Sequence, residues 1–155
     1  MREHSFILKG NICYSEMKNR LSVTEQGYLV CREGISRGVY PVIPDEYRNL
    51  PVKDYGDRLI IPGMTDLHIH APQYPFRGIG MDLELLEWLN THTFPEESRY
   101  SDLEYAEKAY RIFVEDLKKS GSTRAVIFGT IHLPATEFLM KELDASGLST
   151  YVGKV

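Results

Sequence analysis

The chain has 155 residues, and its 18 Lys and Arg against 22 Asp and Glu give a formal net charge of −4 at pH 7. This mild acidity argues against a nucleic-acid partner, because proteins that bind the phosphate backbone carry a basic patch or stripe. Hydrophobic residues make up 43% and charged residues 26%, as in ordinary globular proteins, which excludes disorder along the whole length.

Short β-structure is predicted for residues 1–58. The runs Phe6–Tyr14 and Gly27–Cys31 are rich in apolar and β-compatible residues. The segment Arg32–Gly34 is typical of a turn, after which Ile35–Val39 returns as the second strand of a hairpin. We therefore expect a small, β-sandwich-like domain over these residues.

The second region, residues 59–155, alternates between strand and helix patterns. Such alternation indicates βαβ units around a parallel sheet. The predicted elements are a strand from Leu59 to Ile69 interrupted at Pro62-Gly63, a short helix Asp82–Asn90, a helix Ser101–Lys119, a strand Ala125–Phe128, a helix Pro134–Ala145 and a strand Leu148–Val155.

The helix pattern is strongest over Ser101–Lys119. Ser101 is the expected N-cap, with Glu104 three residues later completing a capping box. Apolar residues recur at steps of three and four and predict one buried face. That face consists of Leu103, Ala106, Tyr110, Phe113 and Leu117.

The sharpest chemical feature is the pair His68 and His70. Residues two apart in a strand point to the same face, so the two imidazoles would stand side by side. Neutral imidazole suits zinc and related ions, but catalytic zinc needs about three protein ligands and a water. By spacing alone the pair is a weak motif that also arises by chance. Asp66, on the same face, is a candidate for orienting a ligand.

Two further residues follow predicted strands. Gln73 carries an acceptor and donors in one plane, which suits an amide-like edge of a heterocycle, although a turn residue in a Pro-rich loop is the plainer explanation. His132 follows the strand that ends at Phe128, where a structural histidine is more usual than a catalytic one.

Taken together, these residues resemble the amidohydrolase superfamily, and within it the guanine deaminase family. The His-x-His element is shared across the superfamily, whereas the stretch from Pro72 to Glu97 is more specific. The segments that carry the resemblance are IPGMTDLHIHAPQY (61–74), GIGMDLELLEWL (78–89), THTFPEE (91–97), GTIH (129–132) and YVGKV (151–155).

The resemblance implies the N-terminal part of a (β/α)₈ barrel, about three strands over 59–155, preceded by the small β-domain. It implies zinc-dependent hydrolysis of guanine to xanthine and ammonia, with His68 and His70 as metal ligands. It also implies that His70, Ala71 and Gln73 contact the substrate, with Asp66 and His132 as supporting residues. One zinc ion is expected, and two histidines do not exclude iron.

A whole barrel needs about 250 residues, so the remaining ligands and the catalytic groups are expected downstream of Val155. We expect the isolated chain to be inactive. Two alternatives stay open: an amidohydrolase of another cyclic C–N bond, such as a cytosine deaminase or chlorohydrolase, and a truncated, non-catalytic remnant.

The cysteine count and the lack of long apolar stretches indicate the compartment in which the protein is found. Two cysteines, Cys13 and Cys31, cannot form a disulfide framework and point to a reducing compartment. No stretch approaches the roughly 18 apolar residues of a membrane span, and the first residues lack the apolar core of a signal peptide. We expect a cytoplasmic protein with no membrane partner, and the resemblance implies a homodimer.

Overall fold

The computed structural model describes residues 4–154 of the chain. Val155, the last residue of the final predicted strand, lies outside the described residues, as do the first three residues of the predicted β-domain. The chain divides into two compact units, Met1–Pro62 and Gly63–Val155.

A four-stranded sheet forms the first unit, in the order β3-β2-β1-β4. β1 pairs with β2 and β2 with β3 in antiparallel fashion, whereas β4 runs parallel to β1. The predicted hairpin turn is confirmed: Glu33 and Gly34 have φ values of 56° and 77°, the left-handed pair preferred between twisted antiparallel strands. The strands are β1 (Phe6–Met17), β2 (Arg20–Arg32), β3 (Ile35–Tyr40) and β4 (Val52–Ile60).

The single strand predicted from Leu59 to Ile69 is wrong. Leu59 and Ile60 end β4 in the first sheet, and the next strand, β5, begins only at Met64. Pro62 separates the two, because proline has no N–H with which to continue a ladder.

A three-stranded parallel sheet, in the order β5-β6-β7, forms the second unit, and the predicted strand–helix alternation is confirmed. No helix within residues 4–154 is both long and apolar enough to cross a bilayer. The elements are β5 (Met64–His70), α1 (Leu85–Trp88), α2 (Phe94–Ser98), α3 (Leu103–Lys119), β6 (Ser122–Phe128), α4 (Leu133–Ala145) and β7 (Ser149–Gly153).

The N-cap of α3 is Asp102 and not Ser101. The Asp102 carboxylate accepts hydrogen bonds from the backbone N–H groups of Glu104, at 3.0 Å, and Tyr105, at 3.4 Å. Ser101 still belongs to the preceding 3₁₀ turn, and its hydroxyl donates to the Ser98 carbonyl at 2.9 Å. The hydroxyl therefore serves the turn and is not free to cap the helix.

The predicted apolar face of α3 is largely confirmed. Ala106, Tyr110, Phe113 and Leu117 are buried, whereas Leu103, at the first helical position, is 42% exposed. These side chains share one core with Ala125 and Ile127 of β6 and with Ala135, Leu139 and Leu143 of α4.

The helix predicted over Asp82–Asn90 is in fact a longer composite. α1 continues through a π turn, Leu89–Thr93, directly into α2. The Asn90 amide and the Thr91 hydroxyl donate to the carbonyls four residues earlier, at 2.8 and 2.7 Å. Side chains that bond to these carbonyls compete with the regular backbone ladder, which accounts for the wider turn.

Candidate metal and substrate site

His68 and His70 lie at the carboxyl end of β5, the edge of a parallel sheet where active sites form. Their Nε2 atoms are 3.1 Å apart. Two nitrogens bound at about 2.0–2.1 Å to one tetrahedral zinc ion would lie roughly 3.3–3.4 Å apart. The two imidazoles therefore fit two corners of such an ion.

Phe128, the last residue of β6, packs against both imidazoles. It is the register partner of His70, and its ring lies 4.8 Å from that of His70, with an angle of 17° between the planes. The distance to the His68 ring is 5.0 Å. The phenyl ring thus restricts the rotation of both side chains. The sequence marks Phe128 only as the end of a strand, and its place beside the histidines follows from the parallel register alone.

The electrostatic surroundings favour neutral imidazole at His70. Burial lowers the pKa of His70, the neighbouring His68 lowers it further, and Glu97 acts in the opposite direction. A lowered pKa keeps the ring neutral at physiological pH, and neutral imidazole is the form that binds a metal ion.

The two histidines are an incomplete donor set. Within residues 4–154, no group of three or more His, Cys, Asp or Glu side chains is arranged to hold a metal ion. Because a catalytic zinc ion needs about three protein ligands, the pair fits part of a site and not a whole one.

Gln73 lies beside the histidines, in a 3₁₀ turn that runs from Ala71 to Phe76 directly after β5. With His68 and His70 it lines a cavity of about 560 Å³, a size typical of small-molecule sites. The remaining lining residues are Tyr74, Phe76, Arg77, Leu85, Trp88 and Leu89.

Three other predicted residues lie outside this lining. Asp66 accepts a hydrogen bond from the backbone N–H of His68 at 3.0 Å, so it contacts the main chain of a candidate ligand. Ala71 is fully buried in the core. His132 precedes α4, and its Nε2 is buried without a partner among the described residues. Their supporting and substrate-binding roles stay predictions.

The turn that carries Gln73 is anchored through Tyr74. The Tyr74 hydroxyl donates to Asp116 of α3 at 2.8 Å, and its ring meets Phe113 edge-on at 5.4 Å. The Arg77 guanidinium covers the ring at 3.9 Å. These contacts fix the turn against the longest helix, and they hold one wall of the cavity in place.

A second wall is aromatic. The rings of Phe76 and Trp88 lie 5.5 Å apart, and the Trp88 indole N–H donates to the Ile79 carbonyl at 3.0 Å. Flat apolar side chains of this kind suit a planar ring ligand. From the sequence alone, core packing is the plainer explanation for Trp88, because a lone tryptophan at helical spacing carries no signal that separates a cavity wall from a core.

Comparison with known proteins identifies the class to which this fold and site belong. A family model described as "Amidohydrolase family" matches residues 59–155, well over half of the chain, and the chain belongs to that family.

Curated relatives are more specific. The chain is 38% identical over 147 residues to the guanine deaminase of Escherichia coli, and 44% identical over 112 residues to that of Mus musculus. These alignments cover 90% and 72% of the chain, but only 32% and 24% of the relatives. The matched part of the chain thus spans about a quarter to a third of their length.

Among solved structures, the chain is similar to a guanine deaminase from C. acetobutylicum with guanine bound in its active site. The TM-score is 0.91 at 42% identity, over 96% of the chain and 36% of that structure. A triazine hydrolase, at 14% identity and a TM-score of 0.75, shares the fold alone. The expected fold, the N-terminal portion of an amidohydrolase (β/α)₈ barrel, is confirmed.

Proposed function

We propose that this chain is the N-terminal segment of a zinc-dependent enzyme that hydrolyses guanine to xanthine and ammonia. The observation that carries the proposal is the cavity in which two paired imidazoles and the amide of Gln73 meet. The guanine deaminase that is 42% identical over nearly the whole chain supports guanine as the substrate.

His68 and His70 would hold the metal ion, with further ligands from the part of the enzyme that follows Val155. When bound, such an ion lowers the pKa of a water molecule and so supplies a nucleophile at neutral pH. Phe128 would orient both imidazoles, because its ring stacks on that of His70 and packs at a tilt against that of His68. One zinc ion is proposed, and iron remains compatible with imidazole ligands.

Gln73 would bind the substrate by hydrogen bonds to its polar edge, because an amide offers donors and an acceptor in one plane. Phe76 and Trp88 would contact its faces. Such a combination of flat apolar walls with one precisely placed polar group is typical of sites for heterocycles.

The two units would have separate roles. We assign the first unit, whose last strand β4 ends at Ile60, to a small β-domain and the second unit to the first third of the barrel, where the two candidate ligands lie. Both cysteines are free thiols, as is usual in the cytoplasm, which is the location proposed here. A homodimer is proposed on the family resemblance.

The experiment uses the natural full-length protein that carries this sequence. It is incubated with guanine, cytosine and a chlorotriazine, and products are followed by chromatography and ammonia release. We expect xanthine from guanine and little turnover of the other rings. Turnover of cytosine or the triazine without guanine would contradict the substrate, and no turnover of any ring would support a non-catalytic remnant.

A further inference from the structure

The side-chain amide of Gln73, in the cavity wall, donates a hydrogen bond to Glu97 of α2. The Gln73 Nε2 lies 3.2 Å from the Glu97 Oε1, in a part-buried position. The two residues come from different elements, the 3₁₀ turn after β5 and the helix α2. The contact therefore depends on the fold and not on local sequence.

The chemistry of this contact determines how the Gln73 amide is oriented. A carboxylate can only accept hydrogen bonds, so it must face the NH₂ group of an amide and not its oxygen. With Nε2 bonded to Glu97, the Oε1 atom at the other corner of the planar amide is left for a ligand. We propose that Glu97 is a positioning residue, which holds Gln73 so that its Oε1 accepts a hydrogen bond from a substrate N–H.

A purely stabilising role explains Glu97 poorly. Its side chain is half-buried, and within residues 4–154 it forms no ion pair. A carboxylate in such surroundings is costly unless it is well bonded. The hydroxyls of Tyr100 and Tyr110 are buried in the same unit without partners in the described part of the chain. Burial raises the pKa of both hydroxyls, and the charge of Glu97 adds to this effect. Glu97 thus lies near two buried hydroxyls, and it forms no ion pair that would stabilise the fold.

The adjacent carboxylate shows what a structural role looks like. Glu96 forms an ion pair with Arg99 at 3.0 Å and also accepts a hydrogen bond from the Tyr105 hydroxyl. Its partners lie on the following turn and on α3, so Glu96 ties α2 to both of these elements. Glu97 instead bonds to a residue that lines the cavity.

This positioning has a consequence for specificity, and it rests on the proposed function. A fixed acceptor at Gln73 favours a ring edge that offers an N–H, as guanine does. It disfavours an edge that offers only the lone pair of a ring nitrogen, because two acceptors would then face each other. Sites built to hydrogen-bond a substrate group discriminate strongly against analogues that lack it.

The test is a double-mutant cycle in the natural full-length protein, with guanine as the probe. Glu97→Met removes the acceptor at nearly constant volume, and Gln73→Met removes the amide. Without Glu97 the Gln73 amide is no longer held in one orientation, and weakening one substrate hydrogen bond in this way costs up to about tenfold in binding. We expect Glu97→Met to raise KM for guanine about tenfold, with a much smaller change in kcat, and to have no further effect in the Gln73→Met background.

Two further variants sharpen the result. Glu97→Gln keeps a hydrogen-bonding group at the same position but can donate as well as accept, so it no longer fixes which side of the Gln73 amide faces it, and it should raise KM by less than Glu97→Met does. Glu96→Met, the control, removes a neighbouring carboxylate and should change KM equally in both Gln73 backgrounds. If Glu97→Met does not fold, Glu97→Asp replaces it in the cycle, because it keeps the charge but is one methylene too short for the contact.

The outcomes separate the two claims. If the wild type deaminates guanine but the effects of the Glu97 and Gln73 variants simply add, the positioning role is overturned and the proposed function stands. If the wild type does not act on guanine, the proposed function fails, and the positioning role falls with it.

Discussion

Gly80 lies between the turn that carries Gln73 and α1, and it occupies a position that only glycine fits well. Its φ is 69°, and an added Cβ would lie 2.6 Å from Cδ2 of His92 and 3.0 Å from Cδ1 of Trp88. Gly78, two residues earlier, has a similar φ of 80°, but nothing lies within 4 Å of its Cβ position. An alanine at position 78 would therefore meet backbone strain alone, whereas an alanine at position 80 would meet both strain and crowding.

For Gly78→Ala we expect a loss of about 1–2 kcal/mol in the free energy of unfolding, the cost of a left-handed alanine. Gly80→Ala should cost about 1–3 kcal/mol more, because the crowded Trp88 and His92 rings must shift. Urea unfolding of both variants in the full-length protein measures the difference. Equal losses would mean that the packing of Trp88 against this loop is not as described.

At the scale of single residues, the site could be predicted only where its signal is local. The His68 and His70 pair and nearby Gln73 lie within one short stretch, so their spacing and the family resemblance were sufficient to name them. Phe128 contacts His70, and Glu97 contacts Gln73, from other elements. Their contacts depend on strand register and on the path of α2, which no residue spacing encodes.

Among the elements, α3 was the most predictable, because its apolar period is long and regular. Its start was misjudged by one residue, since both Ser101 and Asp102 are good N-caps and only the 3₁₀ turn before the helix decides between them. β4 and the π turn could not be predicted, because neither has a clear sequence pattern. β4 is mostly exposed and polar, and the π turn has no pattern of its own.

The cap assignment can be tested at this helix. We expect Asp102→Ala to lower the free energy of unfolding by about 1 kcal/mol, because two backbone N–H groups lose their acceptor. Ser101→Ala, the matched control, should cost clearly less, since its hydroxyl bonds only to the carbonyl of Ser98. Thermal unfolding of the two variants compares them, and a larger effect at Ser101 would contradict the observed cap.

For the molecule as a whole, the property that matters most for metal binding is that the chain is much shorter than its relatives. The chain covers 36% of a guanine deaminase structure, and within residues 4–154 the two imidazoles are only part of the donor set that the proposed metal ion needs. We therefore expect the 155-residue chain by itself to bind zinc weakly and to lose it on dialysis. The full-length protein, with the remaining ligands, should retain the ion.

The most direct test of the central claim is the metal content of the dialysed full-length protein, measured by mass spectrometry together with a His68→Asn/His70→Asn double variant. His92→Asn serves as the control, because His92 stacks on Phe76 and not on the imidazole pair. The account predicts about one zinc or iron ion per chain in the wild type and the control, and almost none in the double variant. A double variant that keeps its metal, or a wild type that holds none, would contradict the assignment of His68 and His70 as ligands.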